Sequence, residues 1–311
     1  MKPLNLVPIK PNLNFIGRKK VFFTFSALLV ALAIGLFLAR GLNFGIDFQG
    51  GILIEVRMSE AGKLSEMRAH LSGLGLGEVA LQEFGQPTDV LIRVQKQEGG
   101  EKAQQVAVEK VKTALGDGVE YRRTEFVGPK VSRELFRDGV IAVLLAMLGI
   151  LAYIWFRFEW QFGLGAIIAL LHDVVTTIGI FALTGLEFNL STVAAILTIA
   201  GYSINDTVVV YDRVRENLRR YKSMPLTELF KNSINETLSR TVMTSLTTLL
   251  ALVSLYVLGG EVIRGFSFAL IWGVLIGTYS SVCVAVPLLL HLNLNRGVQS
   301  GGAGEQAAPA E

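Results

Sequence analysis

The sequence predicts an α-helical polytopic membrane protein: six transmembrane helices, with an α+β domain between the first and the second. Three observations predict it. Of the 311 residues, 51% are hydrophobic, and the mean hydropathy of +0.49 is high for a soluble chain of this length. Six apolar runs reach the length of about 20 residues that a bilayer crossing needs. Between the first two runs the composition turns soluble, with strand-like and helix-like periodicities in alternation.

The first span is 21–39, without a charge. Lys2, Lys10, Arg18, Lys19 and Lys20 lie before it, so 1–20 reads as a basic cytoplasmic N-terminus. The run is too long for a cleaved h-region and no small-x-small site follows, so a retained anchor is expected. Residues 41–138 form the soluble domain. It opens with GLNFGIDFQGG (Gly41–Gly51). Gly45, Gly50 and Gly51 suit positive φ or close approach of another surface, and Asp47 is placed to cap a turn or touch the membrane domain. No GK[ST] follows, so this is not a phosphate loop. Gly51–Met58 reads as a strand, Ser65–Leu76 as a helix, and Val79–Phe84 and Val90–Gln95 as strands around the turn GQPTD. Glu101–Leu115 reads as an amphipathic helix with Val106, Val108, Val111 and Leu115 inward, and Val119–Val127 as a last strand. The order β-α-β-β-α-β is that of a ferredoxin-like domain. His70 reads as a surface residue, and the domain holds no metal-ligand cluster. Pro129–Asp138 reads as a short amphipathic helix entering the second span.

The remaining spans are 139–156, 162–186, 188–211, 241–260 and 265–290, the last with room to kink at Pro287. Arg157–Gln161 (RFEWQ) reads as a tight turn with Phe158 and Trp160 at the interface. Gly273 and Gly277 form a GxxxG pair for helix packing. The lone Cys283 makes no internal disulfide and reads as a packing residue. The tail 291–311 is small and polar and is expected to be disordered. No internal repeat is visible.

Net charge is only +3, but its distribution is uneven. Arg213, Arg215, Arg219, Arg220, Lys222, Lys231 and Arg240 crowd the connection between spans four and five, while Gly185–Asn189 has no basic residue. The positive-inside rule puts both termini and the basic connection in the cytoplasm and the soluble domain outside. With few aromatics among the basic residues, the connection reads as a topology signal and not as a nucleic-acid site.

The candidate site lies in IAGYSINDTVVVYDRVREN (Ile199–Asn217), which carries Asn205 and Asp206 inside an apolar span. A carboxylate there costs about 2.5–3.5 kcal/mol on insertion scales and commonly marks an ion or proton path. Tyr202 and Ser203 share its helical face. Span five offers Arg240, Thr244, Thr247, Thr248 and Ala251 at helical spacing, and Arg240 is expected to reach inward to Asp206. Span three offers His172 and Asp173. Burial disfavours a charged carboxylate and a nearby cation favours it, so such a pair can take up and release a proton. Three readings stand: proton coupling through Asp206 and Arg240 with Asp173 as a second site, a structural ion pair, or a substrate site. No nucleophile–base set or metal cluster points to an enzyme. No cofactor is expected beyond the proton as coupling ion.

The motifs GLNFGIDFQGG, LHDVVTTIGIF (Leu171–Phe181), GYSINDTVVVYDRVREN and SRTVMTSLTTLL (Ser239–Leu250) together resemble the SecD/SecF family, in its SecF-type members. These are membrane subunits of bacterial protein export related to the resistance-nodulation-division transporters. The resemblance runs from about Arg18 to His291. It implies an inner-membrane subunit that works with SecD and the SecYEG channel, with YajC as a further partner, on a translocating unfolded polypeptide, using the proton-motive force for late translocation and release into the periplasm. It implies that the family's intramembrane aspartate is Asp206 and its basic partner Arg240, with His172 and Asp173 as the HD pair. With about twenty residues before the first span and no SecD-like half, a stand-alone subunit is expected. The rivals are a scaffold without proton conduction and a small-molecule or lipid exporter of the same superfamily.

Overall fold

The computed structural model describes residues 11–59 and 64–292. Lys2, Lys10 and nearly all of the 291–311 tail lie outside the described residues. Among the described residues, six helices are long and apolar enough to cross a membrane. A single 3-10 turn, Ile16–Arg18, leads into α1 (Lys19–Arg40). The extramembrane part begins with the short β1 (Asn43–Phe44) and α2 (Ile46–Gln49). It continues with β2 (Gly51–Met58), α3 (Leu64–Ser72), β3 (Val79–Phe84), β4 (Gln86–Val94), α4 (Glu101–Leu115) and β5 (Val119–Val127). The chain then forms α5 (Pro129–Arg157), α6 (Trp160–Thr184), β6 (Glu187–Phe188), α7 (Leu190–Arg220), α8 (Leu226–Leu258), α9 (Arg264–Ser280) and the short α10 (Val286–Leu288).

The four long strands pair antiparallel in the order β3-β4-β2-β5. Strand alternation sends Ile52, Ile54, Val56, Ile92 and Val94 to one face, where Leu71 of α3 and Val111 of α4 close a core. The other face presents Leu53 and Leu91 to Ile46 of α2, on the side of the membrane helices. Two details differ from the sequence reading. The strand β4 starts at Gln86, not at residue 90, because Gly85 alone makes the turn at φ 84°. Pro87, which lacks a ladder donor, falls where the β3–β4 register shifts. The inward stripe of α4 is Gln104, Ala107 and Val111, while Val106 is exposed.

Arg57 on β2 holds Asp89 on β4 through two hydrogen bonds, 2.6 and 2.8 Å long. These bonds, with the Arg57 charge, hold the Asp89 carboxyl below the usual carboxylate range. A depressed folded-state value stabilises the fold at pH above about 3.9, the unfolded value, and that contribution is lost as pH falls through the folded value. Arg57→Gln is therefore expected to move acid unfolding of this domain to higher pH. Circular dichroism of the strands followed through a pH titration measures the shift.

In the membrane part, α6, α7 and α9 are the buried centre, with α1 against α6, α5 against α7, and α8 against both α7 and α9. Pro129 opens α5, which runs unbroken to Arg157, so the predicted entry helix and span two are one element. Only Phe158 and Glu159 separate α5 from α6. Phe158 is 5% exposed, so it is a core residue and not an interfacial one. Its ring packs on Phe162 and Tyr211. Trp160 is exposed, as expected. The irregularity near Pro287 is a π-turn, Ser281–Ala285, followed by α10. Proline has no N–H, and its ring would meet the carbonyl four residues earlier. Widening the turn avoids that contact.

The largest departure is the connection between spans four and five. The helices α7 and α8 have 31 and 33 residues, about 46 and 50 Å at 1.5 Å per residue. Only Tyr221–Pro225 joins them, so the basic segment is a helical hairpin. Val210 and Val214 pack there with Leu229, Phe230 and Ile234. Arg213 bonds Glu236 at 2.6 Å, and Asn217 bonds both Ser233 and Glu236. The backbone of Leu13 makes two hydrogen bonds to the Asn235 amide, each 2.9 Å, tying the N-terminal segment to α8.

Gly273 and Gly277 bring α9 onto α7. A Cβ at Gly273 would lie 2.2 Å from Cγ1 of Ile199, and one at Gly277 would lie 3.2 Å from Cβ of Ser203. Gly273→Ala is expected to cost about 1–3 kcal/mol through overpacking. The lower thermal midpoint of the detergent-purified chain is the readout, and an unchanged midpoint would mean that α9 can move off α7.

Candidate functional site

The N-terminus of α7 is closed by Asn189, whose side chain accepts from the Thr192 N–H while Thr192 reaches back to the Asn189 N–H. At the other end Arg157, the last residue of α5, bonds Asp212 at 2.8 Å. That contact ties the end of α5 to α7 eight residues before α7 ends. Asp206 lies six residues before Asp212, about 9 Å along the helix.

Asp206 is 3% exposed. Its Oδ2 has no protein hydrogen-bond partner among the described residues, and neither do the buried hydroxyls of Tyr202 on the same face and of Thr241 on α8. Buried polar atoms are nearly always paired, and these three lie on two adjoining helices; α6 and α9 carry others, at His172, Ser267 and Trp272. Arg240 is the cation that acts on the Asp206 carboxylate, but no salt bridge joins them. Arg240 does not lie at a helix end. The residue sits fourteen positions after the start of α8, mid-helix, and its side chain is exposed.

The span-five stripe also faces outward: Thr244, Thr247 and Ala251 are exposed and Thr248 is half-buried. Thr244 and Thr248 donate to carbonyls of their own helix. The buried stripe of α8 is Thr237, Thr241, Ser245 and Leu252. On α7, Asn205 points away from Asp206 and is exposed, in line with Ser191, Ala194, Thr198 and Gly201. Two strips of small and polar residues, from α7 and α8, thus lie on the outside of a membrane bundle.

Ser203 does not belong with Asp206. It donates to Asp173 Oδ2 at 2.6 Å, and Ser280 of α9 donates to the same oxygen at 2.7 Å. His172 Nδ1 lies 2.9 Å from Asp173 Oδ1. Asp173, fully buried, is therefore a hub that joins the three central helices, separate from Asp206. The second ring nitrogen of His172 is buried without a partner among the described residues, and the ring lies beside Tyr279. Sequence reading missed Ser280. The pair Ser280–Ser281 inside an apolar span was its signal, and Ser281 likewise pairs with Thr207 at 2.9 Å.

At the far end of α7, Asp47 accepts from the Leu190 N–H at 2.9 Å, and its charge suits that helix N-terminus. β1 pairs with β6 in parallel. A Cβ at Gly45 would lie 2.3 Å from Glu187 Oε1, so a side chain there would displace the Glu187 carboxylate. Gly50 and Gly51 have φ of 71° and 130° and turn the chain into β2. Arg93 of β4 bonds Glu187 at 2.7 Å and Asn43 at 3.1 Å. The extramembrane sheet is thereby tied to the same loop that starts α7. Among the described residues no cluster of His, Cys, Asp or Glu could hold a metal ion.

Residues 107–295 match the family model "Protein export membrane protein SecD/SecF, C-terminal", and residues 35–61 match the "SecD/SecF GG Motif". The chain belongs to the SecD/SecF family. It is 48% identical to the protein translocase subunit SecF of Rickettsia rickettsii over 294 residues, covering 92% of this chain and 94% of that one. It is 48% identical to SecF of Cereibacter sphaeroides over 303 residues, with 94% of each covered. The crystal structure of SecDF, a translocon-associated membrane protein from Thermus thermophilus, matches with a TM-score of 0.83 and 38% identity over 92% of this chain. The chain spans 39% of that longer SecDF chain. SecDF in a super-membrane-facing form matches 93% of this chain at 39% identity, with a lower TM-score of 0.68. At nearly the same coverage and identity, the two SecDF arrangements fit this chain unequally. The 35–61 motif is the junction built around Gly45, Asp47, Gly50 and Gly51, and the longer match contains Asp173, Asp206 and Arg240.

Proposed function

We propose that this chain is the SecF-type subunit of a bacterial protein translocase and uses the proton-motive force, with SecD, to promote late translocation and release of polypeptides. The observation that carries the reading is the buried Asp206 carboxylate, whose Oδ2 has no protein partner among the described residues. A carboxylate left in that state has somewhere to put a proton and little protein structure to break when it does. Protonation would remove the attraction to Arg240 and let α7 and α8 repack. Movement of α7 would reach the extramembrane sheet through Asp47, Glu187 and Arg93. The difference between the two SecDF arrangements supports such mobility. In this reading Asp206 exchanges the proton beside the Arg240 charge, and Asp173 with His172 holds the frame.

SecD is the partner that would cover the outward strips of α7 and α8, since small and polar residues exposed on membrane helices suit helix–helix contact better than lipid. Both termini and the α7–α8 hairpin would lie in the cytoplasm and the sheet domain in the periplasm, where it would meet the unfolded polypeptide leaving a SecYEG channel; YajC would be an additional subunit. The chain would act as a transport component without catalysis of its own.

The test is export of a model secreted protein into inverted inner-membrane vesicles holding SecYEG, SecD and this chain. Export is measured with the gradient present and after a protonophore. Stimulation that needs the gradient, SecD and this chain together supports the reading. Equal stimulation without the gradient would leave a scaffold role.

A further inference from the structure

We propose that the groove beside the α5–α6 turn, on the membrane face that carries the basic residues, binds the phosphodiester headgroup of an anionic phospholipid. This inference does not rest on the proton-coupling reading. The groove has a volume of about 450 Å³ and is lined by Arg157, Asp212, Arg215, Glu216, Arg219 and Arg220. Its two carboxylates are already engaged: Asp212 by Arg157 at 2.8 Å and Glu216 by Arg213 at 2.6 Å. Arg215 and Arg219 have no carboxylate partner among the described residues. Two guanidinium charges therefore face the groove uncompensated, and Arg220, stacked on Tyr221, adds a third at its rim.

The site is also held in shape. The buried Phe158 ring lies under both Arg157 and Arg215, with ring centroids 5.0 and 5.2 Å from the guanidinium carbons. Arg215 Nη1 further donates to the Arg157 carbonyl at 3.1 Å. Stacking and this hydrogen bond fix the plane of the Arg215 fork before any ligand arrives, which suits bidentate binding of phosphate oxygens. Glu236 and Glu216 both bond Arg213, so neither is paired with Arg215.

The surroundings select a lipid over a soluble phosphate. Arg157 ends a membrane helix, so the groove sits at headgroup level. Beside it Trp155, Phe156 and Trp160 are 73%, 95% and 61% exposed. Aromatic rings at that level pack against acyl chains and glycerol, and basic pockets between membrane helices hold anionic headgroups.

The test uses the full chain, purified in a neutral detergent and exchanged into mixed micelles with equal phosphatidylglycerol and phosphatidylcholine. Lipid retained after repurification is read by mass spectrometry. Wild type is expected to retain phosphatidylglycerol preferentially, with roughly a fivefold preference from each uncompensated guanidinium near the surface. The double variant Arg215→Gln with Arg219→Gln is expected to lose the preference. Lys102→Gln with Lys110→Gln, which removes the same charge from the exposed surface of α4, is expected to keep it. Thermal unfolding of each variant checks the fold. Equal retention by all three proteins, or equal retention of the two lipids by wild type, would overturn the proposal. Displacement of the lipid by excess inorganic phosphate would also overturn it, in favour of a soluble phosphate ligand.

Discussion

Asp206→Asn is expected to abolish the part of export that a proton gradient stimulates, while the amount of chain and its assembly with SecD stay normal. The substitution keeps shape and volume and removes the ability to exchange a proton. Because Asp206 Oδ2 makes no hydrogen bond to protein among the described residues, the change leaves no partner stranded there. A carboxylate inside a membrane helix costs about 2.5–3.5 kcal/mol on insertion scales, so removing its charge should leave the thermal midpoint unchanged or raise it. Lost function with undiminished stability is the signature of a group retained for its chemistry. Arg240→Leu is expected to behave alike, since its exposed side chain supports no packing, and Arg240→Lys to retain part of the stimulation because the charge remains. The vesicle assay measures all three, normalised to the amount of SecD complex. Export that still responds fully to the gradient in Asp206→Asn would end the proton role of this residue. Loss of complex instead of coupling would make Asp206 a packing device.

The transmembrane pattern was legible because hydropathy over about 20 residues is a strong signal, and the sheet domain because alternation and helical spacing follow each other cleanly from Gly51 to Val127. The α7–α8 hairpin was not legible to the same criterion. Arg213, Arg215, Arg219 and Arg220 lower the hydropathy of any window that contains them, although Val210, Val214 and Asn217 continue the buried face of α7 without a break. Reading 3.6-residue periodicity past the last apolar run would have found it. The site divided in a similar way. Asp206 and Asp173 stood out as charges in apolar spans. Which hydroxyls serve which carboxylate depends on helix rotation, and sequence spacing alone does not set that. Ser203 is one turn from Asp206 on its own helix, yet the approach of α9 at Gly273 and Gly277 turns it to Asp173. For α8, the Thr and Ala stripe that was expected to face Asp206 is instead exposed, apart from the half-buried Thr248. A single chain could not say whether that face meets its own bundle or another subunit.

The contrast between the two aspartates makes the second large effect. Asp173→Leu is expected to cost about 3–5 kcal/mol and to deplete the folded chain, because it breaks a buried, hydrogen-bonded charge centre. The Ser203 and Ser280 hydroxyls lose their shared acceptor, and His172 loses its neighbour. The damage falls at the meeting point of α6, α7 and α9, so it should appear as a lower thermal midpoint in detergent and as less complex with SecD. Asp173→Asn discriminates between frame and relay. Its amide oxygen can replace Oδ2 and accept from both serines. Its NH2 can replace Oδ1 and donate to His172 Nδ1, provided His172 carries its proton on Nε2. Every hydrogen bond of the hub is then kept and only proton exchange is lost. The Asn variant is expected to fold, assemble and respond to the gradient almost as wild type does, unlike both Asp173→Leu and Asp206→Asn. Normal stability with no gradient response in Asp173→Asn would instead put Asp173 in the proton path beside Asp206, and the three central helices would then carry the charge as well as the packing.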